Sequence, residues 1–225
     1  MTQNNREMNW QHKLHALNEK LTGLPVIGVT GKSGSGASAV SKILERMGGF
    51  VINADALAHE LYLLDGLAYA PVVDAFSKEI LNGAGEIDRK KLGSLVFADP
   101  DKMKILEGII HPLVIKCCLE YIDDIETSRA YAFVVVDAPM LIESHCHQFC
   151  TTTWLIVAEN DVRIARIVKR DHISEAAAQM RLSARVDDGL LEKNADFIIE
   201  NNGTLSALED TVHNAFERFI SGMMV

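Results

Sequence analysis

Short apolar runs alternate along the chain with segments in which apolar residues recur every three or four positions. Runs of the first kind predict β-strands, and segments of the second kind predict amphipathic helices. The predicted strands are Val26–Val29, Phe50–Asn53, Tyr131–Val136, Thr153–Val157 and Ala195–Ile199. Because helical segments separate these strands, we predict parallel pairing in an α/β, doubly wound, three-layer fold with a parallel five-stranded sheet.

Helical spacing continues without a strand pattern from Asp65 to Asp124. Within this stretch, breaks are expected at Asn82-Gly83, at Asp99-Pro100 and at His111-Pro112. A crossover between two neighbouring strands needs far fewer residues. We therefore predict a helical insertion at about 56–125 that stands beside the sheet and binds an acceptor substrate.

Residues 1–23 precede the first strand and have a helical pattern of their own. The apolar positions at helical spacing are Trp10, Leu14, Leu17 and Leu21. With charged residues between them, these positions predict an amphipathic helix. We expect this helix to pack on the surface of the main domain, residues 24–225, and a dimer contact is the alternative.

A glycine-rich turn joins the first strand to the next helix. It consists of Gly31, Lys32, Ser33, Gly34, Ser35, Gly36, Ala37 and Ser38. Its glycines let successive N–H groups face an anion, and the helix N-terminus adds free donors and the positive end of its dipole. The spacing is that of a nucleotide phosphate loop, with Ala37 in place of the usual lysine. Ser38 keeps the hydroxyl expected for magnesium, and Lys32 provides a lysine inside the loop. A glycine-rich turn without a ligand is the alternative.

Two carboxylates lie at the carboxyl ends of predicted strands, where open parallel sheets bind ligands. Asp55 could orient or deprotonate an acceptor hydroxyl. Asp137 could hold magnesium directly or through water. For each, the alternative is a cap on the following helix or turn. Asp88 is likewise placed to cap a helix, with Arg89 solvated.

The most cationic part of the chain lies between the last two strands, and we predict a helical lid at about 160–194. Its cations are Arg163, Arg166, Lys169, Arg170, Arg181, Arg185 and Lys193. Guanidinium groups brought over a phosphate loop by a hinged helical hairpin would stabilise a transferring phosphoryl group and exclude water. A solvated surface hairpin is the alternative.

Composition narrows the possible functions. A formal net charge of −9 argues against a broad surface for nucleic acid or anionic membrane, because clustered Lys and Arg bind phosphate backbones. The N-terminus is polar, and no run of about 18 apolar residues occurs. We therefore expect neither a signal peptide nor a membrane span, and a cytoplasmic enzyme.

The stretch around residue 146 offers four soft metal ligands. They are His145, Cys146, His147 and Cys150. Zinc sites usually draw pairs of ligands from two separated stretches, and no second pair is apparent. We expect a partly buried loop, with metal binding as the alternative.

Several short motifs follow one another in a fixed order. They are Ile27–Gly31 with Gly34–Gly36, Ile52–Asp55, Asp88-Arg89 with Leu92 and Phe97, Leu106-Glu107 with His111-Pro112, Asp137–Glu143, Arg166–Asp171 and Ala195–Gly203. In this order and spacing they resemble the motifs of the dephospho-coenzyme A kinases. The resemblance extends from about Val26 to Ile220.

The resemblance implies a P-loop NTPase fold that uses ATP with Mg²⁺ to phosphorylate the ribose 3′-hydroxyl of dephospho-coenzyme A, the last step of coenzyme A biosynthesis. ATP and dephospho-coenzyme A are then the expected partners, with no nucleic acid and no membrane. Asp55 is implied to be the catalytic carboxylate, and Arg170 and Arg181 are implied to be lid cations. The residues implied to lie beside the adenine are Asn201, Asn202 and Gly203. Those implied to bind the acceptor, with Asp55, are Arg89, His111, Pro139 and Leu141.

The chain departs from the family pattern at Ala37 and at Asn53, which replaces the first acid of an Asp-x-Asp motif. Removal of one preorganised charge-stabilising donor typically lowers turnover by about 100- to 1000-fold. Lys32 is the candidate to compensate, because its flexible stem could bring an ammonium group to the β/γ oxygens. The alternatives are a non-catalytic binder of nucleotide or coenzyme A, and a kinase for another nucleoside-like hydroxyl.

Overall fold

A computed structural model describes residues 23–183 and 188–223. Its strands form one five-stranded sheet in the order β2-β3-β1-β4-β5. The strands are β1 (Val26–Gly31), β2 (Phe50–Asn53), β3 (Val134–Asp137), β4 (Thr152–Val157) and β5 (Phe197–Glu200). β1 pairs in parallel with β3 and β4, and β4 pairs in parallel with β5. The predicted α/β fold is confirmed. The predicted N-terminal helix and Arg185 lie outside the described residues.

Helices connect the strands. They are α1 (Ala37–Arg46), α2 (Ala54–Leu61), α3 (Tyr69–Phe76), α4 (Arg89–Phe97), α5 (Pro100–Ser128), α6 (Asn160–Asp171), α7 (Glu175–Ser183), α8 (Asp188–Lys193) and α9 (Leu205–Met223). Short 3₁₀ turns occur at Lys78–Ile80 and Cys146–Phe149. The predicted lid at about 160–194 corresponds in position to α6, α7 and α8.

The described residues divide into two compact units. The first contains the described residues up to Ile52 and from Asp124 onward, and the second is Asn53–Asp123. The predicted insertion, about 56–125, differs from the second unit by two or three residues at each end.

In the first unit, alternating residues of the strands face opposite sides of the sheet. Ile27 and Val29 of β1 belong to the larger hydrophobic core, with residues of α1 and α9. On the opposite face, a methyl group added to Gly28 would lie 2.7 Å from Leu141. Thr30 donates a hydrogen bond to the Pro139 carbonyl on that face, at 3.2 Å. Burial on both faces explains why β1 is an unbroken run of buried residues.

The second unit is helical, as its sequence pattern predicts. Asn53 caps α2, and its Oδ1 accepts a hydrogen bond from the Ala56 N–H at 2.8 Å. Asp88 caps α4 by accepting from the N–H groups of Lys90 and Lys91. A turn at 82–85 separates α3 from α4, as expected from Asn82-Gly83, and an isolated antiparallel bridge joins Leu81 to Ile87 on either side of it.

The predicted break at His111-Pro112 is wrong, because α5 continues through Pro112 to Ser128. Proline removes one backbone hydrogen bond and disfavours a helix interior. The helix nevertheless buries Ile110, Val114 and Cys118, which recur at intervals of four residues on both sides of the proline. Burial of this continuous apolar stripe outweighs the local preference for a break.

Across the described parts of the chain, no helix is both long enough and apolar enough to cross a membrane.

Candidate nucleotide site

The phosphate loop lies between the end of β1 and the start of α1. Gly34 and Gly36 have left-handed backbones, with φ of 82° and 98°. Gly36 is the N-cap residue of α1, and no side chain caps this helix end. The first N–H groups of an α-helix have no partner within the helix. Ala37 and Ser38 therefore present free backbone donors and a positive dipole end, which is an anion-binding arrangement.

Both left-handed glycines also approach other elements too closely for a side chain. A methyl group on Gly34 would lie 2.8 Å from the Arg163 carbonyl oxygen, and one on Gly36 would lie 2.2 Å from Nδ2 of Asn201. Contacts below 3.0 Å cannot form without a shift. The loop therefore packs directly against α6 and the end of β5.

Two arginines of α6 bind the carbonyl side of the loop. Arg163 Nε donates to the Ser33 carbonyl at 3.0 Å. Arg166 Nη1 donates to the carbonyls of Gly34 and Ser35 at 3.3 and 3.2 Å. The sequence analysis assigned both arginines to a lid and did not predict these contacts. The sequence gives one indication that the two arginines act together: their spacing of three residues places both on one face of the helix.

Asn201 completes this set of contacts. Its Nδ2 donates to the Ser35 carbonyl at 2.7 Å, and its Oδ1 accepts from Arg166 Nη2 at 3.2 Å. Asn201 is buried and follows directly after β5. Its amide therefore holds the loop. The adjacent Asn202 accepts a hydrogen bond from the Glu159 N–H at 2.8 Å, which links the residues 201–203 to the start of α6.

A cleft of about 200 Å³ adjoins the loop. It is lined by Lys32, Ser35 and Arg163, with residues from the end of β4 and from α8. Lys32 is half-buried, and its carbonyl accepts a hydrogen bond from the Ser35 N–H at 2.9 Å. The Ser35 hydroxyl is buried and has no hydrogen-bond partner among the described residues. Ser38 is exposed on the first turn of α1, and Ala37 is half-buried.

The predicted residues at the end of β3 and directly after it are all brought close to β1. Asp137 is 5% exposed and lies opposite Val29 in the sheet. Pro139 is half-buried and accepts the hydrogen bond of Thr30. Leu141 has no exposed surface and packs against Gly28. In this structure, Leu141 is a core residue that supports β1.

Arg170 and Arg181 are brought together by one carboxylate. Arg170 donates to both oxygens of Asp171, from Nε at 2.7 Å and from Nη2 at 3.0 Å, and Arg181 Nη1 also bonds to Asp171. The hydrogen bond from Arg170, with the positive charge of both arginines, holds the pKa of the Asp171 carboxyl below its usual value. The same hydrogen bond raises the pKa of Arg170. These cations therefore stay paired near neutral pH.

Three predicted site residues belong to the second unit. Asp55 is exposed in the first turn of α2, and Asn53 rather than Asp55 caps this helix. The carboxylate of Asp55 is therefore not used as the N-cap, contrary to the alternative raised from the sequence. Arg89 is exposed. Burial raises the pKa of the Tyr62 phenol, and the positive charge of Arg89 partly offsets this rise. His111 is half-buried in the middle of α5.

The stretch from His145 to Cys150 is a partly buried turn. Cys146 is 1% exposed, and burial raises the pKa of its thiol, partly offset by a hydrogen bond with Ser144. Cys150 Sγ donates to the Cys146 carbonyl at 3.4 Å. Within residues 23–183 and 188–223, no three His, Cys, Asp or Glu side chains are grouped closely enough to hold a metal ion.

A family model and the sequence relatives of this chain all point to the dephospho-CoA kinases. A family model described as dephospho-CoA kinase matches residues 25–207. The dephospho-CoA kinase of Carboxydothermus hydrogenoformans is 32% identical over 196 residues, which cover 87% of this chain and 95% of the relative. That of Geobacter metallireducens is 37% identical over 187 residues, which cover 83% and 92%.

Solved structures agree with the sequence relatives. A Thermus thermophilus protein aligns with a TM-score of 0.74 at 29% identity, and a dephospho-CoA kinase from Campylobacter jejuni aligns with a TM-score of 0.63 at 28% identity. Each alignment covers 88% of this chain and 98% of the other. A shikimate kinase from Acinetobacter baumannii, 15% identical with a TM-score of 0.50, shares the fold alone. The chain belongs to the dephospho-CoA kinase family.

Proposed function

We propose that this protein transfers the γ-phosphoryl group of ATP to the 3′-hydroxyl of dephospho-coenzyme A and so forms coenzyme A. The observation that carries the proposal is the family match over residues 25–207, which includes the phosphate loop and the strand ends around it. The free N–H groups at the start of α1 support it, because they form a ready site for the phosphates of a nucleotide.

In this proposal, the loop Gly31–Ser38 binds the β- and γ-phosphates. Asp55 accepts the proton of the attacking hydroxyl, and its exposed, non-capping carboxylate supports that role. Arg170 and Arg181 leave Asp171 and neutralise charge on the transferring phosphoryl group. The helices α6, α7 and α8 act as a lid over the nucleotide. Asn202 and Gly203 line the adenine site.

Acceptor recognition is assigned to the second unit and to the residues after β3. Arg89 is exposed and cationic, which suits contact with the phosphates of the acceptor. His111 and Pro139 are half-buried and complete the proposed contacts. Leu141 contributes by packing behind β1, since it has no exposed surface.

Magnesium accompanies ATP in this proposal. The Ser38 hydroxyl and the Asp137 carboxylate would hold it, with water completing the coordination. Both groups supply the oxygen ligands that Mg²⁺ prefers, and two protein oxygens plus water and phosphate are its usual complement. The exposed position of Ser38 leaves room for the water. Bound Mg²⁺ would neutralise charge on the phosphates during transfer.

A second candidate function is binding of nucleotide or coenzyme A without transfer. Ala37 is the observation that favours it, because the loop lacks the lysine that stabilises the transferring group. The exposed carboxylate of Asp55 favours the kinase, since a pure binder needs no group at the acceptor hydroxyl.

A coupled assay for ADP release separates these functions. We expect acceptor-dependent ADP with dephospho-coenzyme A, little with adenosine or other nucleosides, and none after EDTA removes Mg²⁺. Mass spectrometry of the product should show one added phosphoryl group on the ribose. ADP formed only with another nucleoside would identify a different acceptor. Nucleotide binding without ADP formation from any acceptor would establish the non-catalytic function.

A further inference from the structure

Two cationic side chains lie behind the phosphate loop rather than inside it. Arg163 and Arg166 donate to three successive carbonyls, those of Ser33, Gly34 and Ser35, at 3.0 to 3.3 Å. Arg163 is buried, with only 7% of its surface exposed. A second hydrogen bond, from Arg163 Nη1 to Asn160 Oδ1 at 3.1 Å, fixes the orientation of its guanidinium.

These contacts determine where the loop's N–H groups point. In a trans peptide, the C=O and the following N–H point in opposite directions. When the Ser33 and Ser35 carbonyls face α6, the N–H groups of Gly34 and Gly36 face away from it. Those groups then become donors for an anion, together with the uncapped N–H groups of α1. Donation from a guanidinium also polarises each peptide unit and strengthens its N–H as a donor.

We propose that Arg163 and Arg166 supply, from behind the loop, part of the positive charge that a lysine at position 37 would supply from inside it. In this view, Arg163 is a positioning residue for the diphosphate of the bound nucleotide. The inference rests on the proposed function for the identity of that ligand. It is independent of any contribution from Lys32.

Distance sets the size of the effect. Loss of a charged donor in direct contact lowers turnover by about 100- to 1000-fold. The guanidinium of Arg163 acts across a peptide unit, at roughly twice the distance of a direct contact, and Coulomb energy falls with distance. We therefore expect each arginine to change diphosphate affinity by about tenfold.

Calorimetric binding of ADP to the full chain tests the proposal. Arg163→Gln keeps an amide donor but removes the charge, and should weaken ADP binding by about tenfold. Arg163→Lys keeps the charge and should recover most of the affinity. In the Ala37→Lys background, Arg163→Gln should weaken ADP binding clearly less, because a lysine then faces the phosphates directly. The matched control is Arg46→Gln, which removes an exposed charge from the other end of α1 and should leave ADP affinity unchanged.

Two results would overturn the inference: ADP affinity unaffected by Arg163→Gln, or an equal loss with and without Ala37→Lys, which would indicate a structural role only. Thermal unfolding checks each variant, and Arg166→Gln replaces Arg163→Gln if the latter does not fold. The readout also separates this inference from the proposed function. If Arg163→Gln weakens ADP binding but the chain transfers no phosphoryl group, the kinase function is refuted and the inference stands. A chain that binds no ADP would refute both.

Discussion

Ala37 puts a methyl group on the first residue of α1, where phosphate loops usually carry an ammonium group. The loop Gly31–Ser38 contains one lysine, Lys32, and the structure places it half-buried beside Ser35 at the adjoining cleft. A lysine has a flexible four-carbon stem, so its ammonium group can reach a ligand from more than one backbone position. Lys32 is therefore the residue at which the missing charge is best tested.

Lys32→Ala should lower kcat by about 100-fold, because it removes the cation proposed to stabilise charge in the transition state. Ala37→Lys in the same variant should recover part of the loss. Steady-state kinetics with ATP and dephospho-coenzyme A measure both. Unchanged turnover in Lys32→Ala, beside a clear loss in Arg181→Ala, would transfer this role to the lid.

Asp55→Asn should abolish turnover and leave ATP affinity nearly unchanged, because the proposed proton transfer occurs at the acceptor hydroxyl. Asn53 already caps α2, so the substitution removes no helix cap. The control is Asp88→Asn, the same chemical change at a residue that does cap its helix. Asparagine caps about as well as aspartate, and this variant should stay active. Near-normal turnover in Asp55→Asn would rule out the assignment.

At the scale of elements, α6 divides its arginines between two tasks. Arg163 and Arg166 bind the phosphate loop, whereas Arg170, in the last turn, binds Asp171. A cation in the last turn is favoured by the helix dipole even without a ligand. The helix thus binds the phosphate loop near its start and carries the Arg170–Asp171 ion pair at its other end.

Arg170→Ala should lower kcat by about 1000-fold with a smaller change in KM for ATP, because an arginine on the transferring group acts mainly in the transition state. Arg46→Ala, which removes an exposed arginine from α1, is the control for net charge. A rise in KM alone would make Arg170 a ground-state binding residue.

The pairing of Asp171 with Arg170 and Arg181 should depend on pH. The pKa of Asp171 is lowered in the folded chain, so the pairing contributes stability above the carboxyl's unfolded pKa and loses it as the pH falls through the lower, folded value. An NMR titration should place the Asp171 midpoint below the ordinary value of 3.8 and move it upward in Arg170→Ala. A midpoint that does not respond to Arg170→Ala would contradict the pairing.

The sequence predicted the elements better than their ends. All five strands and their parallel pairing follow from apolar runs separated by helical segments. At Pro112 the local preference of proline was a poor guide, because burial of Ile110, Val114 and Cys118 continues along the helix. At Asn53 the departure from the family motif proved harmless to the helix, since either residue type serves as a cap.

At the scale of the whole molecule, the phosphate loop was predictable and the contacts that hold it were not. The loop is a local pattern of eight residues, whereas Arg163 lies 130 positions from Ser33, and Asn201 lies 166 positions from Ser35. Charge spacing along α6 shows that the arginines share a face. It contains no information on which distant carbonyls that face meets, because only the packing of α6 and of the end of β5 against the phosphate loop brings them together.

Two truncations test which parts of the chain the kinase domain requires. Deletion of residues 1–22 should leave turnover unchanged, because the family match begins at residue 25. Deletion of residues 208–225 should prevent folding, although the match ends at residue 207. This deletion removes Leu208, Val212, Phe216 and Ile220, which are buried in the main core.

Burial of four such side chains contributes about 6 to 12 kcal/mol. The total stability of a protein this size is about 5 to 15 kcal/mol, so the second deletion removes most of it. Far-ultraviolet circular dichroism and thermal unfolding measure the folding of both chains. A folded, active chain without residues 208–225 would show that α9 is dispensable, and inactivity of the folded chain without residues 1–22 would assign the preceding segment a role in catalysis.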